Sequence, residues 1–315
     1  MVRAVEISRG TTARQALVVL SLAVCAAAAY SLRWRAERFR APSLEVQLDI
    51  PPFPAEVARP LSFGFRSLVA DLMFLEAIQL HGAKKPPRTA DEGARDDRAL
   101  DRLLTYATDL DPKFAGAYRF AGNSMPRHTT DGKVTNVLKA EAILNKGVRE
   151  RPDDWRIPFT LGFLQSFYLG RFQEAARNLG LAARTPGSPA YLGLLATRAA
   201  AEGGDLDFGE QLARVMADQA GEESTRQEWQ KRIADLRMER DLRAIDDAVA
   251  RYRAQEGHAP SSLPALVRAG YLRSLPTEPH GGRYDLDERG EARSSAAQRL
   301  RISGRYGTTA GLEVK

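Results

Sequence analysis

The chain holds a single cysteine in 315 residues, Cys25, so one copy can form neither a disulfide framework nor a cysteine-built metal site. Histidine is nearly as scarce. His81, His128, His258 and His280 stand at no metal-ligand spacing, and H-E-x-x-H is absent. There is no G-x-S-x-G, Walker loop or dinucleotide fingerprint. Gly203-Gly204 reads as a helix stop. Charge of one sign is lacking too: Lys+Arg 46 against Asp+Glu 40 leave a net +6, scattered as Arg with no basic block. That pattern argues against nucleic acid as a partner. The expectation is a non-catalytic chain with no cofactor and no metal.

Long apolar runs are equally rare. The strongest is "QALVVLSLAVCAAAAYSL", residues 15–32, uncharged between Arg14 and Arg33. Its length is about the minimum for crossing a bilayer. A retained signal anchor is the leading reading. A signal peptide cleaved near Ala26–Ala29 stays open, as does a lipoprotein. For the latter, Leu22-Ala23-Val24-Cys25 resembles a lipobox, with Val24 replacing the usual small residue. Arg3, Arg9 and Arg14 on one side and Arg33, Arg35, Arg38 and Arg40 on the other leave the positive-inside rule undecided. The short N-terminal flank favours a single pass with the N-terminus inside and the bulk of the chain periplasmic or extracytoplasmic.

Proline and charge then divide the chain. Residues 1–40 are the anchor and its flanks, and the proline-rich stretch 41–61 reads as an extended linker. Phe65, Leu68, Val69, Leu72, Leu75 and Leu80 recur at helical spacing, which predicts an amphipathic core helix. "KKPPRTADEGARDD", residues 84–97, reads as a polar loop.

A repeat follows. Pro112, Pro152 and Pro186 each come after a helix-like segment, with Ala121-Gly122, Leu161-Gly162 and Leu195-Ala196 nine and ten residues beyond. Gly170 and Gly204 are 34 apart, as are Ala175 and Gly209. Small side chains at a fixed period are what helix–turn–helix repeats need, because helices approach closely only where side chains are minimal. "YRFAG" at 118–122 and "GRFQEAARNLGLAARTP" at 170–186 carry an aromatic, a large-small pair, and Phe172, Ala175, Leu179 and Ala182 at matching places. On these residues the chain resembles the tetratricopeptide repeat family over about 62–220. "PRHTTDGKVT" inserts six residues between the first and second clear units, and a wider loop is expected there. The resemblance implies a mainly α helical solenoid over 62–221 whose first helices line a concave groove. Carried over by position, that groove presents Arg119, Asn123, Arg156, Phe159, Phe163 and Thr197. Arg119 and Asn123 match half of a clamp for a peptide's terminal carboxylate, whereas Thr160 and Leu194 stand where the other half needs polar or basic groups.

The period ends there. Ile233, Leu236, Leu242, Ile245, Val249 and Tyr252 form one stripe amid charges, predicting one long or two short capping helices over 222–256. Residues 257–315 change style, with a short helix near Leu263–Ala269 and a hairpin turn at Arg289-Gly290. Pro260, Leu263, Gly270-Tyr271-Leu272, Leu275-Pro276, Pro279, Gly281 and Tyr284 make this small α+β cap resemble the C-terminal part of type II secretion pseudopilins. Glu278 replaces the family's Asp. The resemblance raises calcium near Asp285, Asp287 and Glu288, but three carboxylates on a turn are more often simply solvated, and that is the reading kept.

The resulting expectation is a membrane-anchored scaffold, held by residues 15–32, that binds a protein or peptide with an acidic or C-terminal carboxylate element. A bacterial secretion or pilus-type envelope assembly is its expected setting. Two alternatives stay open: an accessory subunit or hydrolase with its site in the C-terminal cap, and a purely structural spacer.

Overall fold

The computed structural model describes residues 18–32, 34–35, 54–82, 89–129 and 132–296. The chain divides into two units, Met1–Asp49 and Ile50–Lys315. In the first, helix α1 covers 18–32, and 34–35 are also helical. Here the sequence expectation is overturned: among the described residues no helix is long and apolar enough to cross a membrane. Residues 18–32 reach about 22 Å at a rise of about 1.5 Å per residue, against a hydrocarbon core of about 30 Å. The single-pass topology and exported bulk built on that span fall with it. Residues 15–17 and 33, the flanking Arg3, Arg9, Arg14, Arg38 and Arg40, and 41–53 of the expected linker lie outside the described residues.

The second unit is mainly helical with a small strand part. Its helices are α2 (Ala55–Leu61), α3 (Arg66–Gly82), α4 (Ala90–Leu110), α5 (Ala115–Ser124), α6 (Val137–Glu150) and α7 (Arg156–Phe167). They continue as α8 (Phe172–Arg184), α9 (Tyr191–Glu202), α10 (Leu206–Asp218), α11 (Glu223–Glu256) and α12 (Leu263–Arg268). Two short antiparallel pairs interrupt them, β1 (Arg127–His128) with β2 (Val134–Thr135) and β3 (Tyr284–Leu286) with β4 (Ala292–Ser294). From α3 to α11 each helix packs on the next.

The expected small residues sit at the crossings. A Cβ on Gly122 of α5 would lie 2.8 Å from Leu144 of α6 and would collide with Thr160 of α7. A Cβ on Gly162 of α7 would lie 2.7 Å from Leu179 and 3.0 Å from the Ala175 carbonyl of α8. Neither place has room for a side chain. Ala175, Ala176, Leu179 and Ala196 are buried together with Ala200 and Leu212 of the following pair. Pro112, Pro152 and Pro186 fall between α4 and α5, α6 and α7, and α8 and α9. Tyr118 is fully buried, and its hydroxyl donates to the Pro112 carbonyl at 3.1 Å. Burial raises the pKa of that phenol.

Three further expectations need correction. Residues 55–61 of the linker are helical and pack Ala55 and Ala58 against Tyr106 and Leu110 of α4. The loop placed at 84–97 ends by Thr89, whose side-chain oxygen caps α4 by accepting from the Glu92 N–H at 3.2 Å. The six-residue insertion forms β1 and β2, with Arg127 opposite Thr135 and His128 opposite Val134.

Helix α3 departs most from its predicted role. It buries Ala70 and Ala77, while Leu68, Leu72 and Leu75 remain 56%, 52% and 49% exposed. The helix packs on α4 by its small side, so it is not the fully packed core helix that its periodicity predicts.

At the other end α11 is one continuous helix of 34 residues, closed at Gly257 with φ +75. Its first half buries Trp229 and Leu236 with Leu206 and Ala213 of α10. Its second half forms a separate core with Leu263, Leu266, Tyr284 and Ala292 of the C-terminal segment. In that hairpin Tyr284 pairs with Ser294 and Leu286 with Ala292. Residues 297–315 of the cap lie outside the described residues.

Candidate functional site

The predicted groove residues separate into three groups. Arg119 and Asn123 stand on α5, with Asn123 exposed and Arg119 partly so. Arg156, Phe159 and Phe163 stand on α7, which meets α5 where Thr160 presses on Gly122. This contact places the two helices' outward residues on adjoining ridges. Thr197 of α9 does not join them. It is fully buried, and its hydroxyl oxygen accepts from Arg232 Nε of α11 at 2.9 Å. The same helix seats Trp229 over Gly193, with a Cβ there only 2.7 Å from the indole. The reason is non-local: α11 folds back over α9, so the third ridge of the predicted groove is covered.

Within the α7 ridge the two phenylalanines differ. Phe159 is half-buried, lies edge-on to Trp155 at 6.2 Å and packs against Ala182, Ala183 and Leu192. Phe163 is 49% exposed and stacks on Phe167 at 5.4 Å with their planes 9° apart. Phe167 meets Tyr168 edge-on at 4.8 Å, and the His128 ring of the hairpin lies 6.1 Å from Tyr168. Phe163, Phe167, Tyr168 and His128 therefore form an aromatic ledge where the end of α7 meets the β1–β2 hairpin. Phe163 and Phe167 are one helical turn apart, a readable i,i+4 pair. Contact with His128 depends on the hairpin and has no local signal.

Buried polar side chains hold the ledge in place. Gln165 of α7 donates to Glu141 of α6 at 3.0 Å and accepts from Asn178 of α8 at 2.8 Å. Arg171 donates to both Glu141 oxygens at 3.1 Å. The hairpin is fixed by Arg127, whose Nε and Nη2 reach the two oxygens of Asp97 at 2.9 and 2.7 Å. The hydrogen bond from Arg127 to that carboxylate raises the guanidinium pKa further. Such bidentate pairs fix direction as well as contact.

Arg156 is exposed, with its guanidinium 4.7 Å from the Trp155 ring centroid and 3.7 Å from Asp154. Stacking on an aromatic face orients the group while leaving its hydrogen-bond donors at the surface. Arg119 has no carboxylate partner among the described residues. The two ridges thus offer a partly exposed cation on α5, and an exposed cation and stacked rings on α7.

The C-terminal segment places its polar groups differently. Glu278 is buried, and one carboxylate oxygen accepts from the His280 and Gly282 N–H groups at 2.8 Å each. The other accepts from the Ser294 hydroxyl at 3.0 Å, so this carboxylate is consumed in shaping the loop. Tyr284 donates to Asp241 at 2.8 Å, and Asp246 accepts the Ala292 N–H at 2.7 Å, docking the hairpin on α11. Asp287 caps its own turn, and Asp285 pairs with Arg283. Among the described residues no group of three or more His, Cys, Asp or Glu side chains is arranged to hold a metal ion. His258 packs on Tyr252, whereas His280 pairs with Asp235, so these two histidines serve separate contacts.

No family model matches the chain, and neither a curated protein nor a solved structure shows significant similarity to it.

Proposed function

We propose that the second unit is a tetratricopeptide-type helical array that binds a protein or peptide partner on the α5–α7 face. The α3–α4, α5–α6, α7–α8 and α9–α10 pairs, separated by prolines and meeting at small residues, support the repeat reading. The observation that carries the binding reading is the exposed Phe163–Phe167 stack on a ridge adjoining Arg119 and Asn123. Rigid exposed aromatics beside arginines are the composition of interface hot spots. The partner's matching chemistry is a carboxylate for Arg119 or Arg156 and an apolar side chain over Phe163. Phe159 supports the ridge from below, and Thr197 belongs to the seat of α11.

A photo-cross-linking side chain at Phe163 tests this reading by identifying the partner. Charge-assisted hydrogen bonds contribute about 1.5–3 kcal/mol where water is excluded. Arg119→Ala, Arg156→Ala and Phe163→Ala should each weaken binding of that partner about tenfold or more. All three side chains are at least partly exposed, so melting should be unchanged. Wild-type affinity in all three variants would remove this face as the interface.

A further inference from the structure

Helix α3 carries a second surface, unrelated to the ledge. Phe65, Leu68, Leu72, Leu75 and Gln79 follow one another at alternating intervals of three and four residues. That is the spacing of a coiled-coil seam, which keeps one stripe toward a partner helix. All five side chains are exposed. The opposite side of the helix, Ala70 and Ala77, is fully buried. Isolated exposed leucines need no explanation, but a continuous apolar stripe at heptad spacing does.

Its flanks identify what covers it. Asp71 precedes Leu72, and Glu76 follows Leu75, at the positions that border such a seam. Neither forms an ion pair with another described residue. Arg66, the one arginine of α3, lies on another side of the helix. A second copy packed in parallel would set Asp71 against Glu76, and an antiparallel copy would set each acid against itself. Both arrangements repel. An anionic lipid surface repels the same acids, and helices that lie on membranes carry Lys and Arg at these borders. We infer that α3 docks an amphipathic helix of a partner protein, with apolar residues at heptad spacing and Lys or Arg on both flanks. Gln79 is the polar position in the seam and sets the partner's register.

Two synthetic peptides of about three heptads, identical in their Leu stripe, one with Lys and one with Glu at the flanks, test this by fluorescence anisotropy against the full chain. The Lys peptide should bind about tenfold tighter than the Glu peptide, and the preference should shrink as salt rises. Asp71→Lys with Glu76→Lys should reverse the order while leaving the melting curve unchanged, since Asp71 is exposed and Glu76 is partly so. Leu72→Asp should abolish binding of the Lys peptide, and Arg119→Ala should leave it unchanged. Equal binding of the two peptides, or no binding of either, would overturn the inference. So would a dimer, or sedimentation with phosphatidylserine vesicles, that Leu72→Asp removes. Loss of Lys-peptide binding in Arg119→Ala would place that peptide on the α5–α7 face and also overturn it.

Discussion

The two ends of the helical array are built from similar material and finished differently. At the C-terminal end α11 lies over α9 and α10, buries Trp229 and Leu236, and brings Arg237 and Arg240 to the carboxylate of Glu210. At the N-terminal end α3 covers α4 with Ala70 and Ala77 and leaves a leucine stripe outward. In the repeat reading proposed above, each unit buries its apolar face against its neighbour, so a terminal unit needs either a cap or a partner. The C-terminal end has its cap within the chain. The contrast shows that helical periodicity identifies stripes, while side-chain size decides which stripe is packed.

The largest loss of stability is expected in the middle of the helices. Leu144 is fully buried beneath Gly122, so Leu144→Ala should cost about 2–5 kcal/mol in urea unfolding. A small change there would mean that the α5–α6 crossing is loose, and the distinction between packed array and open end would fail.

Next in size is the electrostatic clasp of the closed end. Glu210 is buried and accepts from Arg214 at 2.6 Å and from Arg237 at 2.9 Å, with Arg240 also 2.9 Å away. Burial alone would raise its pKa, but the hydrogen bonds from these arginines outweigh burial and hold the carboxyl below its ordinary value. A depressed carboxyl pKa adds stability that is fully present above the unfolded value, about 4.3, and is lost as pH falls through the folded value. Glu210→Gln should therefore cost about 1.5–3 kcal/mol at neutral pH. The deficit should shrink in acid below about pH 4. A deficit independent of pH would assign the effect to packing alone.

A somewhat smaller loss is expected where small residues permit the crossing. Ala175 is fully buried and its carbonyl would lie 3.0 Å from a Cβ on Gly162, so Ala175→Leu should overpack by about 1–3 kcal/mol. Thermal melts by circular dichroism measure it. At the open end the expected change is smallest: Leu72→Ala should stay within about 0.5 kcal/mol, because that side chain is not packed. A loss as large as that of Leu144→Ala would show that the seam is covered within the chain.

Much of the array was legible. Prolines, paired small residues and a recurring interval predicted α5 to α10, and a single apolar stripe predicted α11. The orientation of α3 was legible in part, since Ala70 and Ala77 offer the same close-packing side that Ala175 and Ala182 offer on α8. The larger leucines drew the prediction to the wrong face. Thr89 with Glu92 is a capping pair, so the start of α4 was also written locally. Three features were not. The burial of Thr197 depends on Arg232, 35 residues later, and the ledge depends on a hairpin bringing His128 to Tyr168. The membrane span rested on a run whose described helix is too short to cross.

Thiol reactivity tests the central contrast most directly, because Cys25 is the only cysteine and Cys25→Ser gives a blank background. In that background Leu72→Cys on α3 and Leu236→Cys on α11 are exposed to a thiol reagent under native conditions. Leu72→Cys should react at nearly the rate of an unfolded peptide. Leu236→Cys, at a fully buried position, should react only at the rate of opening or unfolding. Equal protection at both positions, or equal reactivity, would contradict an array closed at one end and open at the other.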